Sequence, residues 1–508
     1  MAETMLLELT GAGFTYRNGA VATLTDIDLR LAPGQMHAIL GEVGAGTSTL
    51  GRLITGLLSE RGTSVGHIRV AGTAVMLGDD PEAQLSGMTS LVADEVQLSG
   101  RLHGDEVSAV ERRAHQALDS LGIDELWRRR LDTLSGGQRQ LVALAGLLTG
   151  NPSLLVLDQP SLSLDPETRR RLGAALRAFC DAGGAVLITA HQFDEVAEAC
   201  DQVSILESGR LIRTGIRPSA SELERQGIWD TRPRGQGEPR EPHQSCEPYQ
   251  SFESRWTDRS EAAGESAPAS VALSVRGLSV ARAGVSVLTD IDLDLASGEI
   301  VSIMGSNGAG KSTLLHSLVG LLGAGARTSG TITVDGNGPP ISLGEAPAHE
   351  RAQHLGWVGQ DPGSQLSAAT VREELMHAVP LPAHRRRDRA TIRTRRQEAV
   401  TSALARTGLD SFSETHPYDL SIDLRKDLVM ASALILSPRI LLLDEPTLGR
   451  DRKAIDRLNM FTKDFRRRGG SVLATTHDRH WAATTGDRIL LLDEGRVNQD
   501  EQCRGAAG

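Results

Sequence analysis

The sequence predicts an α/β protein in which one structural unit is written twice. Three observations predict it: a long internal repeat, short apolar runs alternating with helical stretches, and a glycine-rich turn closing the first such run of each copy. Residues 13–49 lie over residues 277–313 without a gap, an offset of 264, and the segment LTDIDL occurs verbatim in both. Farther along the offset becomes 286, which sets LLVLDQP (154–160) over LLLDEP (ending at Pro446) and His191 over His477. The second copy therefore carries extra residues, mostly between Lys311 and Gln360.

Composition narrows the function classes. The chain has 508 residues and a formal net charge of −11, which suits several cores and argues against a general nucleic-acid binder. Its four cysteines, Cys180, Cys200, Cys246 and Cys503, form no C-x-x-C pair, so a zinc site, an iron–sulfur cluster or a disulfide scaffold is not expected. No apolar run approaches the ~20 residues that cross a bilayer, and Met1–Thr10 lacks the layout of a secretion signal. These features together predict a soluble, cytoplasmic chain.

In the first unit, residues 1–217, MHAIL (36–40) is a short strand running into GEVGAGTST (41–49), and TLGRLITGLL continues as a helix. LLVLD and AVLIT follow as buried parallel strands. From Pro218 to Ser270 the chain is rich in Pro, Gly, Gln and Glu with few aliphatic residues, and a flexible tether is expected there. The second unit, residues 271–500, repeats the grammar with IVSIM (300–304), TLLHSLVGLL, ILLLD and SVLAT. Parallel strands of this kind place ligands at their carboxyl ends.

The segment GSNGAGKST, Gly305, Ser306, Asn307, Gly308, Ala309, Gly310, Lys311, Ser312 and Thr313, fits G-x-x-x-x-G-K-[ST] between a strand and a helix. Its glycines let backbone N–H groups curl around phosphate oxygens, and the helix adds its positive end. Lys311 is then the partner of the outer phosphates, Ser312 a ligand of Mg²⁺, Asp444 a second holder of the ion, and Glu445 the group that polarises the attacking water.

With LSGGQRQ (134–140) shortly before LLVLDQP and a histidine beyond, both halves resemble ATP-binding cassette (ABC) ATPase domains, with a RecA-like core and a helical subdomain each. The resemblance implies head-to-tail pairing, each ATP held between the phosphate loop of one half and the LSGGQ segment of the other. Ser135, Gly136, Gly137 and Gln138 would then face the second half's loop, Gln360 would be a Mg²⁺ ligand, and His477 would contact the γ-phosphate. The SLSLD segment ending at Asp165 would cross the interface near the same site.

The halves are unequal. In the first, Thr47 stands where the lysine belongs, Glu42 adds charge to the loop, Gln159 replaces the glutamate and Asp79 replaces the glutamine. Asp158 and His191 remain. In the second, LSGGQ has become LSIDL (420–424), with Asp423 expected to aim a carboxylate at a γ-phosphate. Head-to-tail pairing collects the defects, except one, in a single site and leaves the other intact. The exception concerns adenine: the family stacks the base on an aromatic ahead of the loop, where Tyr16 stands in the first half and the gapless offset puts Val280 in the second, with Arg282 nearby as a possible planar substitute.

DDPEAQL (79–85) and QDPGSQL (360–366) are similar to the ATPase subunits of energy-coupling factor importers for vitamins or transition metals. That resemblance implies an integral membrane T-type subunit, a substrate-binding membrane protein, and a peripheral position on the cytoplasmic face of the membrane. Gln84 and Gln365 would lie near the groove that seats the partner's coupling helix. A fused ATPase of a monosaccharide importer and a soluble ABC protein acting on ribosome or DNA are the alternatives weighed. The first should keep its better phosphate loop in the first half, and the second should have a basic helical connector and two working sites. The arginine-rich run 384–396 is read as the solvated face of a helix.

Overall fold

The computed structural model describes residues 5–17, 19, 21–80, 84–213, 217–232, 270–282, 284–323, 325–335, 339–381 and 388–502. Each half carries a six-stranded, mostly parallel sheet with the same order. In the first half the strands run Ala74–Leu77, Leu154–Asp158, Ala185–Ala190, Met36–Leu40, Gln202–Glu207 and Arg210–Arg213 across the sheet. In the second they run Leu355–Val358, Ile440–Asp444, Ser471–Thr475, Ile300–Met304, Arg488–Asp493 and Arg496–Gln502. The central strands are buried on both faces, which is why they read as unbroken aliphatic runs.

An antiparallel sheet covers one side of each core and a helical layer the other. The helices are Val92–Leu102, Val107–Ser120 and Gly136–Thr149 in the first half, and Val371–Ala378, Arg389–Thr407 and Ile422–Ile435 in the second. The α/β architecture expected from the repeat is present twice. The extra residues of the second half form the short strand Ile341–Ser342 and the helix Ala348–Arg351. Arg351 turns inward there, donating to the carbonyls of Ser317, Leu318, Gly344 and Ala346. In the arginine-rich run, residues 384–387 lie outside the described residues. Arg393 and Arg395 are exposed on the helix Arg389–Thr407, and Arg396 donates to the carbonyls of Met376 and Val379.

Two sequence expectations are corrected here. Composition puts the tether from Pro218, but residues 217–232 carry a helix at Ala220–Arg225 and a strand at Trp229–Asp230 pairing in parallel with Gln192–Phe193. Leu223, Ile228 and Trp229 are the apolar anchors that a composition average over 218–270 hides. Residues 233–269 of the expected tether lie outside the described residues.

The second correction is one of register. Phe14 pairs with Leu24 in the first antiparallel sheet, and Val280 pairs with Leu288 in the second. Leu24 and Leu288 open the same LTDIDL segment, so Val280 is the counterpart of Phe14, and Arg282 is the counterpart of Tyr16. The hairpin is two residues shorter in the second half, which a gapless alignment cannot register. Val280 is 1% exposed in the sheet core and cannot stack on a base, whereas Arg282 is exposed.

Candidate functional site

The glycine-rich loop of the second half leads from Ile300–Met304 into the helix Lys311–Val319, with Gly308 and Gly310 in the left-handed region at φ 85° and 106°. That turn aims the helix start at the loop's concavity. Lys311 is buried, and its Nζ donates to the carbonyls of Gly305 (2.7 Å) and Ser306 (3.1 Å) and to Nε2 of His477 (3.1 Å). Nε2 of His477 also stands 3.0 Å from Asn307 Oδ1, so the ring touches both the lysine and the loop asparagine. Burial first, then Lys311 and Arg169, drive the His477 pKa down to about 3, so the ring is neutral. Burial also lowers the Lys311 amine, opposed by Glu445, Asp444 and Asp165.

Glu445 and Asp444 end the neighbouring strand. The Thr475 hydroxyl donates to Asp444 Oδ1 at 2.5 Å, and Ser312 also hydrogen-bonds its carboxylate. Glu445 holds a left-handed backbone at φ 48°, fixed by its N–H on the Thr475 carbonyl and by Lys426 Nζ on its own carbonyl (3.3 Å). Its Oε2 accepts from the His477 N–H, while Oε1 is buried without a hydrogen-bond donor, 3.3 Å from His477 Nε2. Burial raises both carboxyls. An unsatisfied buried acceptor beside a neutral histidine is the place for a water molecule, which can donate to it. Gln360 is exposed just past the strand Leu355–Val358.

The first half faces this loop. The Asn307 N–H donates to Asp165 Oδ2 (2.9 Å), and its side-chain amide to the Ser163 carbonyl (3.2 Å). Asp165 also caps the helix Pro166–Asp181 through Thr168. Ser135 caps the helix Gly136–Thr149 in a reciprocal capping box with Gln138, which presents the helix start. A Cβ at Gly137 would come 2.9 Å from the Ser163 carbonyl and 3.6 Å from Asn307 Nδ2, whereas one at Gly136 would meet nothing within 4 Å. Gly137 permits its helix start to pack on the Ser163 carbonyl of the same half, with Asn307 of the other half in ordinary contact, and Gly136 faces open space. Within one chain, Ser135–Gln138 and the loop Gly305–Thr313 meet.

The opposite pair keeps the backbone contact across the halves and loses the charged groups of the site. Val43, the counterpart of Asn307, donates its N–H to Asp451 (3.1 Å), as Asn307 does to Asp165. Thr47 is buried and short, and the carbonyl of Gly41, whose counterpart accepts from Lys311, instead faces His191 Nδ1 at 2.8 Å. Ser48 and Thr189 still hydrogen-bond Asp158, and burial raises that carboxyl. Glu42 pairs with Lys453 at 2.7 Å, a second-half cation. Asp79 lies 4.0 Å from Arg52, and Gln159 is buried at the strand end. The Tyr16 hydroxyl sits 3.2 Å from Thr49 Oγ1, which keeps its ring beside the first phosphate-loop helix.

Asp423 corrects another expectation. Its carboxylate faces inward, accepting from Arg457 (2.7 Å) and from the Ser421 hydroxyl, rather than across the gap. Arg457 in turn holds Asp427, which also pairs with the buried Arg450 at 2.6 Å. The former signature segment has become the start of a buried ion network, and Ser421 no longer caps its helix. Gln365 is likewise tied inward, accepting from the Gly359 N–H at 2.6 Å and donating to the Trp357 carbonyl. It braces the loop that follows the strand Leu355–Val358.

Sequence reasoning missed the Asn307–Asp165 contact, the Lys426 amine beneath Glu445 and the Trp229 segment. The first had a signal, since the aspartate of SLSLD was already expected at the interface. Lys426 also had one, because it matches Gln140, whose side chain donates to the Gln159 carbonyl in the first half.

Comparison with known proteins agrees with the two-fold organisation. The ABC transporter family model matches residues 24–162 and again 288–448. A protein named as an ABC transporter ATP-binding protein of Streptomyces coelicolor is 31% identical, over 97% of this chain and 93% of its own. One of the same description from Methanosarcina acetivorans is 27% identical, over 99% and 92%. Among solved structures, CbiO1 of Clostridium perfringens, part of the ABC transporter complex CbiONQ, is similar at 27% identity and a TM-score of 0.40, covering 46% of this chain and 90% of that one. The chain therefore belongs to the ABC transporter ATP-binding family, whose ATPase domain it carries twice.

Proposed function

We propose that the chain is the ATP-hydrolysing subunit of an energy-coupling factor type importer, with one working composite site and one degenerate site. The observation that carries this reading is the meeting of the intact phosphate loop, through Asn307, with Asp165 and Ser163 next to the intact LSGGQ helix start. Lys311 and the loop N–H groups bind the outer phosphates. Glu445, with its unsatisfied Oε1, orients the attacking water, and neutral His477, 3.3 Å from that oxygen, helps to fix it. Ser135 and the amides of Gly136 and Gly137 close the site from the first half. Positioning and charge neutralisation supply most of the acceleration of such a reaction.

Mg²⁺ fits the site: Asp444 and Ser312 are adjacent oxygen donors, with Gln360 as a third, and burial of two carboxyls calls for a cation. When bound, the ion neutralises charge on the transferred phosphoryl group. Among the described residues no group of three or more His, Cys, Asp or Glu is arranged to hold a metal. The phosphates must then complete the shell. Calorimetry with Mg²⁺ alone is therefore expected to give no heat of binding at millimolar ion, and Mg²⁺ with a non-hydrolysable ATP analogue to give one strong site. Binding of Mg²⁺ without nucleotide would contradict the donor assignment.

Arg282 is assigned as the platform for the adenine ring, because the sheet register makes it the counterpart of Tyr16. A guanidinium stacks on a base by its flat face, worth on the order of 1 kcal/mol at an exposed position. Arg282→Ala should then raise the KM for ATP about fivefold with kcat preserved, and Arg282→Tyr should restore it. An unchanged KM in the alanine variant would remove Arg282 from the site.

The importer class rests on the D-P-x-x-Q-L segments. No helix among the described residues is long and apolar enough to cross a membrane, so a separate T-type membrane subunit would anchor the chain at the cytoplasmic face, with a small substrate-binding membrane protein beside it. The domain limits 1–217 and 271–500 are kept in this proposal, with the segment to Arg232 added to the first. Tagged chain purified from native membranes should bring both membrane proteins with it. Recovery with ribosomes, with DNA, or with the membrane pair of a sugar importer would reject the assignment.

A further inference from the structure

The backbone of the segment 217–232 stays on the first half and sends one side chain into the second. Leu223 and Ile228 belong to the core of the first half, whereas Trp229 belongs to the core of the second. The Trp229 ring is 4% exposed and stacks on His480 at 4.7 Å with an interplanar angle of 8°. Arg452 of the second half covers it at 5.2 Å, pairs with Glu224 at 2.9 Å and donates its N–H to the Gly227 carbonyl. Gly227 has a φ of 67°, which strains any residue with a Cβ, and a Cβ there would displace the Glu42 carboxylate beside the first phosphate loop.

The indole N–H ends on a group close to the chemistry. Trp229 Nε1 donates to Asp478 Oδ2 at 2.6 Å, while Asp478 Oδ1 caps the helix Arg479–Thr485 through the Trp481 N–H. Burial pushes the Asp478 carboxyl up to about 7, opposed by these two bonds. Asp478 directly follows His477, whose N–H and ring face Glu445. In the first half the equivalent residue, Gln192, instead reaches the carbonyls of Thr447 and Arg450 across the interface. Each histidine is thus followed by a residue fastened to the other half, and in the second the fastening is the Trp229 side chain.

We propose that residues 217–232 form an interdomain staple in which Trp229 is a positioning residue for His477, acting through Asp478. The staple lets the first half set the placement of the histidine that faces Glu445 and Lys311. This rests on the assignment of that site as the working one.

The test uses the full chain assembled with its membrane partners. Trp229→Phe keeps a ring against His480 and Arg452 but removes the donor. It is expected to lower kcat about 10-fold, with KM for ATP and Tm unchanged, as a small misplacement of a catalytic group does. Hydrogen exchange should quicken at the amides of 476–481 and stay unchanged at 36–40, a readout that holds even where activity is low. A kcat equal to wild type overturns the proposal, as does a loss matched by a fall in Tm, which would make Trp229 a packing residue only. Lys311→Ala is run beside it: full hydrolysis in that variant would reject the site assignment itself, whatever Trp229→Phe does.

Discussion

Lys311→Ala and Glu445→Gln are each expected to cut steady-state ATP hydrolysis by roughly 10²–10³-fold, as removal of one preorganised charge-stabilising or water-orienting group does. Gln159→Ala and His191→Ala should leave it within about twofold, inside the range of peripheral changes. The asymmetry follows from the two loops. Lys311 bridges its loop carbonyls to His477, and a phosphate would displace those contacts with stronger ones. Thr47 has no such reach, and His191 faces the Gly41 carbonyl instead. The measurement is phosphate release by the assembled membrane complex, because an isolated subunit can be slow for want of its partner. Similar losses in both groups of variants would refute the assignment of one working site.

Ser135→Arg is expected to abolish hydrolysis to a similar degree, although Ser135 belongs to the half with the damaged phosphate loop. The serine is the N-cap of the helix Gly136–Thr149, and its loss there costs about 1 kcal/mol of local order. The larger effect is geometric: an arginine at the helix start fills the open space that Gly136 faces, beside Asn307 of the other half. The mirror change, Ser421→Arg, should matter far less, because the Ser421 hydroxyl is already committed to Asp423. Phosphate release from the two variants, with Tm followed in parallel, separates these outcomes. Retention of activity in Ser135→Arg would disprove the pairing across halves.

Much of this was legible in the sequence because phosphate chemistry constrains local patterns. The loop Gly305–Thr313 needs glycines at fixed offsets, and the carboxylates of ILLLDEP need a buried strand end, so both are visible as strings. Relations between distant residues were not. The counterpart of Tyr16 depends on a hairpin shorter by two residues, and only the pairing of Val280 with Leu288 exposes it. Asp423 reads as a charge aimed at a ligand until Arg457, on the helix Arg452–Arg467, is seen to claim it. The Trp229 segment was hidden differently, since Leu223, Ile228 and Trp229 are few apolar residues inside a stretch dominated by polar ones. Low average hydropathy does not exclude a short anchor when the surface that receives it is already built.

The Ile228–Trp229 bond also bears on how this molecule comes to be made. Because the backbone around that bond stays on the first half while the Trp229 side chain completes the core of the second, the halves cannot be excised cleanly at the apparent border. A fragment beginning at Val271 would emerge with an indole-sized notch over His480 and an uncompensated Asp478. During synthesis the plug for that notch leaves the ribosome before the notch exists, so the later half assembles around a piece its predecessor already presents.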